Sequence, residues 1–570
     1  MFRLAQPRAP LLRGTGVSLP FSALPSVAEG FGVRRRRALQ ELSDRIADWW
    51  ARCSRAGRLV VAQEAVRGRR RSPPSGGLYA AVIGRIRRRL GLVQPIPRHR
   101  LVLLSMLSAG AALRAWFMVA YRPAFVGYPD ARAYIMAARG PLYWNFYKPV
   151  GYPLLLRVLR ALDSRLSFTV AVQHLLGIAT AGLIYLTTVP LLRRRWLALL
   201  PVAVVLFGGS QVFLEHSVLS DGPYSFLLAI ALYCAVSGLD GRRRLGWLAG
   251  AGAALGASVT LRTVGLFLLP VVAAWAGLTT PTLPGSARAA LAVLAPAMIL
   301  LVAYLIPQRA ATGSWALTRS TNFALYARLA PLADCTRFAP PAGTAGLCEP
   351  SDPRTRPNAN WYIFDFGSPA VKLYGVPPWP LTPVAAAEYR WRGDEPTGRF
   401  ARAVLRHQPL DYLASVLEGV ANYVVPRAGR ASVFEYDQEI LIAELRNPHF
   451  EQAALEDITA YYCTDAGYRR RGVRALEAYG RAAKTEGPLT AALAGLMLAG
   501  WALTRGRAHA AASLFASTSL SLAVAPVATV FYDVRYAAPM AIPLTAAAAL
   551  GVDRLWEIVD ARSGFGARDR

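Results

Sequence analysis

Lysine is almost missing from this chain. Of its 65 basic residues only Lys148, Lys372 and Lys484 are lysine, and the rest are arginine. Arginine clusters therefore say less here than usual. Acidic residues are scarce as well, 34 against 65 basic ones, for a net charge of +31. Cysteine is rare, with five in 570 residues, and the five form no metal-binding pattern. There is no GxxxxGK[ST], no GxGxxG after a strand and no HExxH, so nothing favours ATP or dinucleotide chemistry. Residues 1–32 lack the compact apolar core and small-residue cleavage site of a signal peptide and read as disordered.

Apolar length is what the chain has in excess. Hydrophobic residues make up 54% of it, and runs of about 20 recur, each long enough to cross a ~30 Å hydrocarbon core. The runs are continuous rather than alternating, which argues for helices and against a membrane β-barrel. The expected fold is an all-α polytopic membrane protein with about 10 transmembrane helices and an extracytoplasmic loop domain.

The positive charge is concentrated. Residues 1–100 hold 21 Arg against 5 Asp and Glu. Much of the remainder lies in short loops such as Arg193-Arg194-Arg195 and Arg242-Arg243-Arg244. Basic short loops mark the cytoplasmic side, and anionic lipids at the N-terminal region are their natural partner. No nucleic acid is expected, because no matching motif accompanies the charge.

Residues 1–100 read as a basic cytoplasmic extension. It carries amphipathic helices at 33–71 and 78–92, joined by Ser72-Pro73-Pro74-Ser75-Gly76-Gly77. Residues 101–307 hold spans 1–7, near 101–121, 166–192, 196–213, 221–239, 245–261, 263–279 and 288–307. The first outer loop is 122–165. Only Arg262 separates spans 5 and 6, which leaves a re-entrant or broken segment open. Residues 308–487 form the outer loop domain. There Leu405, Leu410, Leu413, Leu417, Val420 and Val424 mark an amphipathic stripe, suited either to the membrane surface or to ordinary packing. Residues 488–556 hold spans 8–10, near 488–504, 509–531 and 536–556, and 557–570 are a tail. Placing both termini in the cytoplasm puts every arginine-bearing short loop on one side, in a multi-pass plasma-membrane protein. Cys335 and Cys348 then lie outside, where a disulfide between them is permitted.

Several polar residues fall on the outer side. Asp130 follows Tyr128-Pro129 and stands one turn before Tyr134. It reads either as a general base for a hydroxyl or as a helix start. Lys148, in Tyr147-Lys148-Pro149, reads either as a point charge for a phosphate or as a snorkelling side chain. Glu215, His216 and Asp221 offer ligands for a divalent cation, Mg or Mn, or for a second hydroxyl; helix capping with hydration is the alternative. Arg262, tightly flanked by apolar segments, needs a cavity or a partner. Arg535 either pairs with Asp533 or meets a phosphate through parallel hydrogen bonds. Tyr152 and Tyr536 are further candidates for the same pocket.

In their order these segments resemble the C-type membrane glycosyltransferases that use polyprenyl-phosphate sugars. Within them they are most similar to the bacterial relatives of protein O-mannosyltransferases and lipid A aminoarabinose transferases. The resemblance rests on Asp130-Ala131-Arg132-Ala133-Tyr134 and Lys148-Pro149-Val150-Gly151-Tyr152-Pro153. It continues through Ser220-Asp221-Gly222-Pro223-Tyr224 and Leu261-Arg262-Thr263-Val264-Gly265. Thr312-Gly313 with Thr321-Asn322, and Arg535-Tyr536-Ala537-Ala538-Pro539, complete it. Asp221 stands where the family has Glu, and the adjacent Asp-Glu pair of protein mannosyltransferases is absent, which counts against a protein acceptor. The resemblance implies inverting transfer of a hexosyl or pentosyl group from a polyprenyl-phosphate donor to a hydroxyl of an envelope glycan or lipid. It makes Asp130 the base, Lys148, Arg262 and Arg535 the phosphate-binding set, and Asp221 an aid to acceptor or metal placement. Two other classes compete: a lipid-linked sugar transporter or flippase, which predicts internal repeats, and a non-catalytic scaffold held by its basic extension.

Overall fold

The computed structural model describes residues 97–126, 129–143, 147–241, 243–377, 391–425, 458–462, 469–485 and 487–566. The amphipathic helices expected within 33–92 lie outside these residues. All ten expected spans are helical. They comprise Arg98–Ala120, Leu166–Thr188, Leu199–Phe207 with Gly209–His216, Asp221–Ser237 and Arg244–Leu261. Thr263–Phe267 with Leu268–Leu278, Leu283–Thr312, Pro488–Leu503, Gly506–Thr529 and Ala537–Gly566 follow. Six of them are long and apolar enough to cross a bilayer, and a seventh is bent by 45°. Thr263–Leu278 and Pro488–Leu503 are shorter apolar helices. The chain is an all-α polytopic membrane protein; the only sheet among the described residues pairs Tyr121–Arg122 with Arg469–Arg470.

Local chemistry sets the helix ends. Leu283–Thr312 starts after extended Thr282 with Pro284 in its first turn, where the missing N–H costs nothing. It ends at Gly313, whose left-handed φ of 73° lets its N–H bond the Arg309 carbonyl. Thirty residues at about 1.5 Å each span about 45 Å, more than the hydrocarbon core alone requires.

The third span departs from expectation. It breaks at Gly208, and the polar stretch read as a short outer loop, 214–220, begins as the end of the Gly209–His216 helix. Spans 5 and 6 are two arms of a hairpin. Arg262 is the single extended residue between them, with φ −147° and ψ 124°. At the far end of the hairpin Arg244 donates to the Ala276 carbonyl and to the hydroxyls of Thr279 and Thr280. The start of one arm therefore lies beside the end of the other.

The molecule has two unlike ends. At one, Arg194 meets Asp553 and Asp560, and Arg507 meets Asp240 at 3.0 Å. These contacts gather the loops near 193–195, 240–244 and 505–508 with the end of the last helix. At the other end stand Asp130, Lys148, Asp221, Arg262 and Arg535.

Within the described part of 308–487, Phe323, Tyr326, Tyr362, Phe400 and Val404 form a second apolar core, while Val416, Tyr423 and Leu476 pack into the main one. A disulfide joins Cys335 to Cys348. Of the amphipathic stripe, Leu405 falls on Asp394–His407 and Leu410 to Val420 on Pro409–Ala421, with Val424 in the turn beyond; Leu410, Leu413 and Leu417 are exposed.

Candidate active site

Asp130 lies in the first turn of the Pro129–Arg139 helix, where a carboxylate opposes the positive helix end. Its two oxygens meet different cations. Lys148 Nζ is 2.7 Å from Oδ1, and Arg535 Nη1 donates to Oδ2 at 2.8 Å. Lys148 does not snorkel outward: its side chain is one-fifth exposed, and its ammonium stands 5.8 Å from the centre of the Tyr134 ring.

Glycine brings this pair close to Arg262. A Cβ at Gly151 would stand 2.7 Å from the Thr260 carbonyl carbon, so only glycine lets the Gly151–Leu162 helix approach the end of Arg244–Leu261 so closely. Arg262 in turn pairs with buried Asp221, the first residue of the Asp221–Ser237 helix. The second Asp221 oxygen, Oδ2, has no hydrogen-bond partner among the described residues.

Arg535 is oriented locally. The Asp533 carboxylate accepts from the Arg535 backbone N–H at 3.0 Å and lies 3.4 Å from its Nε. Arg535 thus contacts Asp533, as one of its two readings expected, and also reaches Asp130. The Tyr536 ring lies under both guanidiniums, 4.9 Å from that of Arg262 and 5.5 Å from that of Arg535. Tyr134 shares a 2.9 Å hydrogen bond with Ser220 and packs edge-on against Tyr152 at 4.7 Å. Tyr152 donates to Gln173 at 2.7 Å.

Electrostatically the cluster is balanced, with three carboxylates (Asp130, Asp221, Asp533) against Lys148, Arg262 and Arg535. Burial alone would raise the Asp130 pKa; the charges of Lys148 and then Arg535 outweigh it and hold the carboxyl well below the usual carboxylate range. Burial lowers the Lys148 ammonium, against the pull of Asp130. Burial raises the Tyr134 phenol above its ordinary value, so it stays a neutral donor.

His216 and Glu215 do not join this cluster, which corrects their grouping with Asp221. Glu215 is fully buried and gripped by Arg114, not hydrated, and His216 faces the Tyr121 carbonyl. Among the described residues no three His, Cys, Asp or Glu side chains converge as a metal site. Arg114, Gln173 and His174 were missed in the sequence. Arg114 carried a usable signal, as the one charge deep inside the first apolar run.

The fold and this polar cluster at one end of the helices define a polytopic membrane protein with an ion-paired site. Residues 167–285 match the family described as dolichyl-phosphate-mannose-protein mannosyltransferase. The resemblance to the C-type, polyprenyl-phosphate-sugar-dependent glycosyltransferases is thus met at the level of a family match. No curated protein matches the chain. Among solved structures, the S. cerevisiae protein O-mannosyltransferase Pmt1-Pmt2 complex bound to the sugar donor is 18% identical, with a TM-score of 0.30. The match covers 41% of this chain and 37% of that one. The Archaeoglobus fulgidus oligosaccharyltransferase in its apo form is 12% identical, with a TM-score of 0.43, over 82% of this chain and 52% of that one. The archaeal oligosaccharyltransferase AglB from Archaeoglobus fulgidus, in complex with an inhibitory peptide and a dolichol-phosphate, is 11% identical at a TM-score of 0.42, over 82% of this chain and 52% of that one. The chain thus spans about half or less of the length of these proteins.

Proposed function

We propose that this protein is a membrane glycosyltransferase. It moves a sugar from a polyprenyl-phosphate donor to a hydroxyl of an envelope glycan or glycolipid, with inversion at the anomeric carbon. The observation that carries this reading is the suspension of Asp130 between Lys148 and Arg535, with Arg262 alongside. A donor phosphate competes for these cations. As it takes them, Asp130 loses the charges that depress its pKa and becomes a stronger base at the moment one is needed.

The chemistry then follows. The acceptor oxygen bonds to the anomeric carbon as the bond from that carbon to the phosphate oxygen breaks. The acceptor proton passes to Asp130, and the electron pair leaves with the polyprenyl phosphate. Lys148, Arg262 and Arg535 meet the charge that grows on that phosphate. The buried Asp221 Oδ2 is a ready acceptor for a ligand hydroxyl, and the Tyr134 and Tyr536 rings offer surfaces for a sugar.

A divalent cation does not fit this set of residues. Asp130 and Asp221 already face Lys148, Arg535 and Arg262, which would repel Mg or Mn. No step is therefore assigned to one.

The positive-inside rule favours the arginine-rich end on the cytoplasmic side of the plasma membrane and the site on the outer face, where a lipid-carried donor is available. The basic residues 1–100 suit anionic lipids on the inner face.

The test is transfer by membranes holding wild-type protein or Asp130→Asn, offered a panel of labelled mannosyl- and pentosyl-phosphate polyprenols with envelope glycolipid. Transfer from one donor that vanishes in the variant, at equal protein, supports the reading and names the sugar. No transfer from any donor with acceptor present overturns it.

A further inference from the structure

A second charged network is buried beneath the site, on the side of the apolar interior, and the transfer chemistry does not use it. Arg114, in the first span, grips Glu215 with two hydrogen bonds, Nε to Oε2 at 2.7 Å and Nη2 to Oε1 at 2.9 Å. Its remaining N–H groups reach the carbonyls of Gly110, Val205 and Leu206. Gln211 adds a donor to Oε1 at 3.0 Å. His174 Nδ1 lies 3.1 Å from Oε2, His174 Nε2 lies 3.0 Å from His216 Nδ1, and His216 Nε2 lies 2.8 Å from the Tyr121 carbonyl. A Cβ at Gly177 would stand 2.6 Å from Glu215 Oε2, so glycine makes room for the carboxylate.

The chain ends on the first outer loop. Phe125 donates to the His216 carbonyl at 3.1 Å, and Val218 to the Phe125 carbonyl at 3.4 Å. Gln173 donates to the carbonyls of Glu215 and Ser217 and accepts from Tyr152. Tyr152 packs against Tyr134, one turn from Asp130, and Ser220 holds the Tyr134 hydroxyl. Residues 215–221 are thus a single hub that ties the network to both arms of the loop bearing Asp130 and Lys148.

We infer that Arg114, Glu215, His174 and His216 are positioning residues for that loop. Removing a member of the chain loosens residues 121–126, which His216 and Phe125 hold through backbone carbonyls. The link to catalysis rests on the function proposed above; the tether does not.

The experiment uses the full chain in lipid nanodiscs. Hydrogen exchange of the 121–126 amides is expected to rise at least about tenfold in His174→Gln and in Gly177→Ala, which displaces the carboxylate. Unchanged exchange in a folded variant overturns the tether. With a donor identified, His174→Gln is expected to lose about tenfold or more in kcat at a nearly unchanged donor KM. Wild-type kcat in that variant overturns the positioning role. A wild-type chain that transfers no sugar, yet shows the tether, sinks the proposed function alone.

Discussion

Asp130 and Arg535 are 405 residues apart in the chain and 2.8 Å apart in space. That ion pair joins the first outer loop to the start of the last span, and Lys148 completes it from the other side. The carboxylate is thus held ready but muted, and whatever removes its partners activates it.

The first prediction concerns pH. Asp130 titrates below the usual carboxylate range in the free protein, with burial opposing and Lys148 and Arg535 prevailing. A depressed carboxyl adds stability above its unfolded pKa, and that stability is lost as pH falls through the folded value. The acid limb of kcat/KM, which reports the free enzyme, should therefore lie below about pH 4. The limb of kcat should lie higher, because bound donor engages Lys148 and Arg535. Coincident limbs would mean that the cations never leave Asp130.

Lys148→Met removes one partner of Asp130 and one phosphate ligand together. Donor KM should rise by about tenfold or more, the scale of one charge-assisted hydrogen bond. Titrating donor at saturating acceptor measures it, and an unchanged KM would place the phosphate elsewhere.

Asp221→Asn leaves Arg262 buried without its carboxylate. Breaking a buried pair in this way costs about 3–5 kcal/mol. Thermal unfolding in detergent should shift downward, and Asp221→Glu should recover most of the shift. Equal melting of all three proteins would show that Arg262 finds another partner.

Chelation tests the absence of a cation from the scheme. Transfer should survive EDTA and should not be stimulated by added Mg or Mn, because Asp130 and Asp221 already face basic groups. Full loss on chelation with recovery on adding metal would require those carboxylates to rearrange.

Cys335 and Cys348 close a 13-residue separation beside the second apolar core. Replacing both with serine should destabilise the protein by about 3 kcal/mol. Limited proteolysis near the Phe323–Phe400 core would report it as faster cleavage.

Much of this protein is legible from sequence. The apolar helices and the gathering of the arginine loops at one end depend on how each segment partitions between lipid and water. That is a property of about 20 consecutive residues. Asp130, Lys148, Asp221, Arg262 and Arg535 could also be picked out, as charges beside or between apolar runs. Their partners could not. Arg535 chooses both Asp533, two residues away, and Asp130, on a distant loop, and no local pattern ranks those options. Glu215 looked like a hydrated loop residue because its place in a bent helix depends on the Gly208 break and on the space above Gly177. The pairing of Arg114 with Glu215, and the hydrogen-bond chain through His174 and His216, exist only once three helices pack together. Only then does desolvation make each buried charge depend on a specific neighbour.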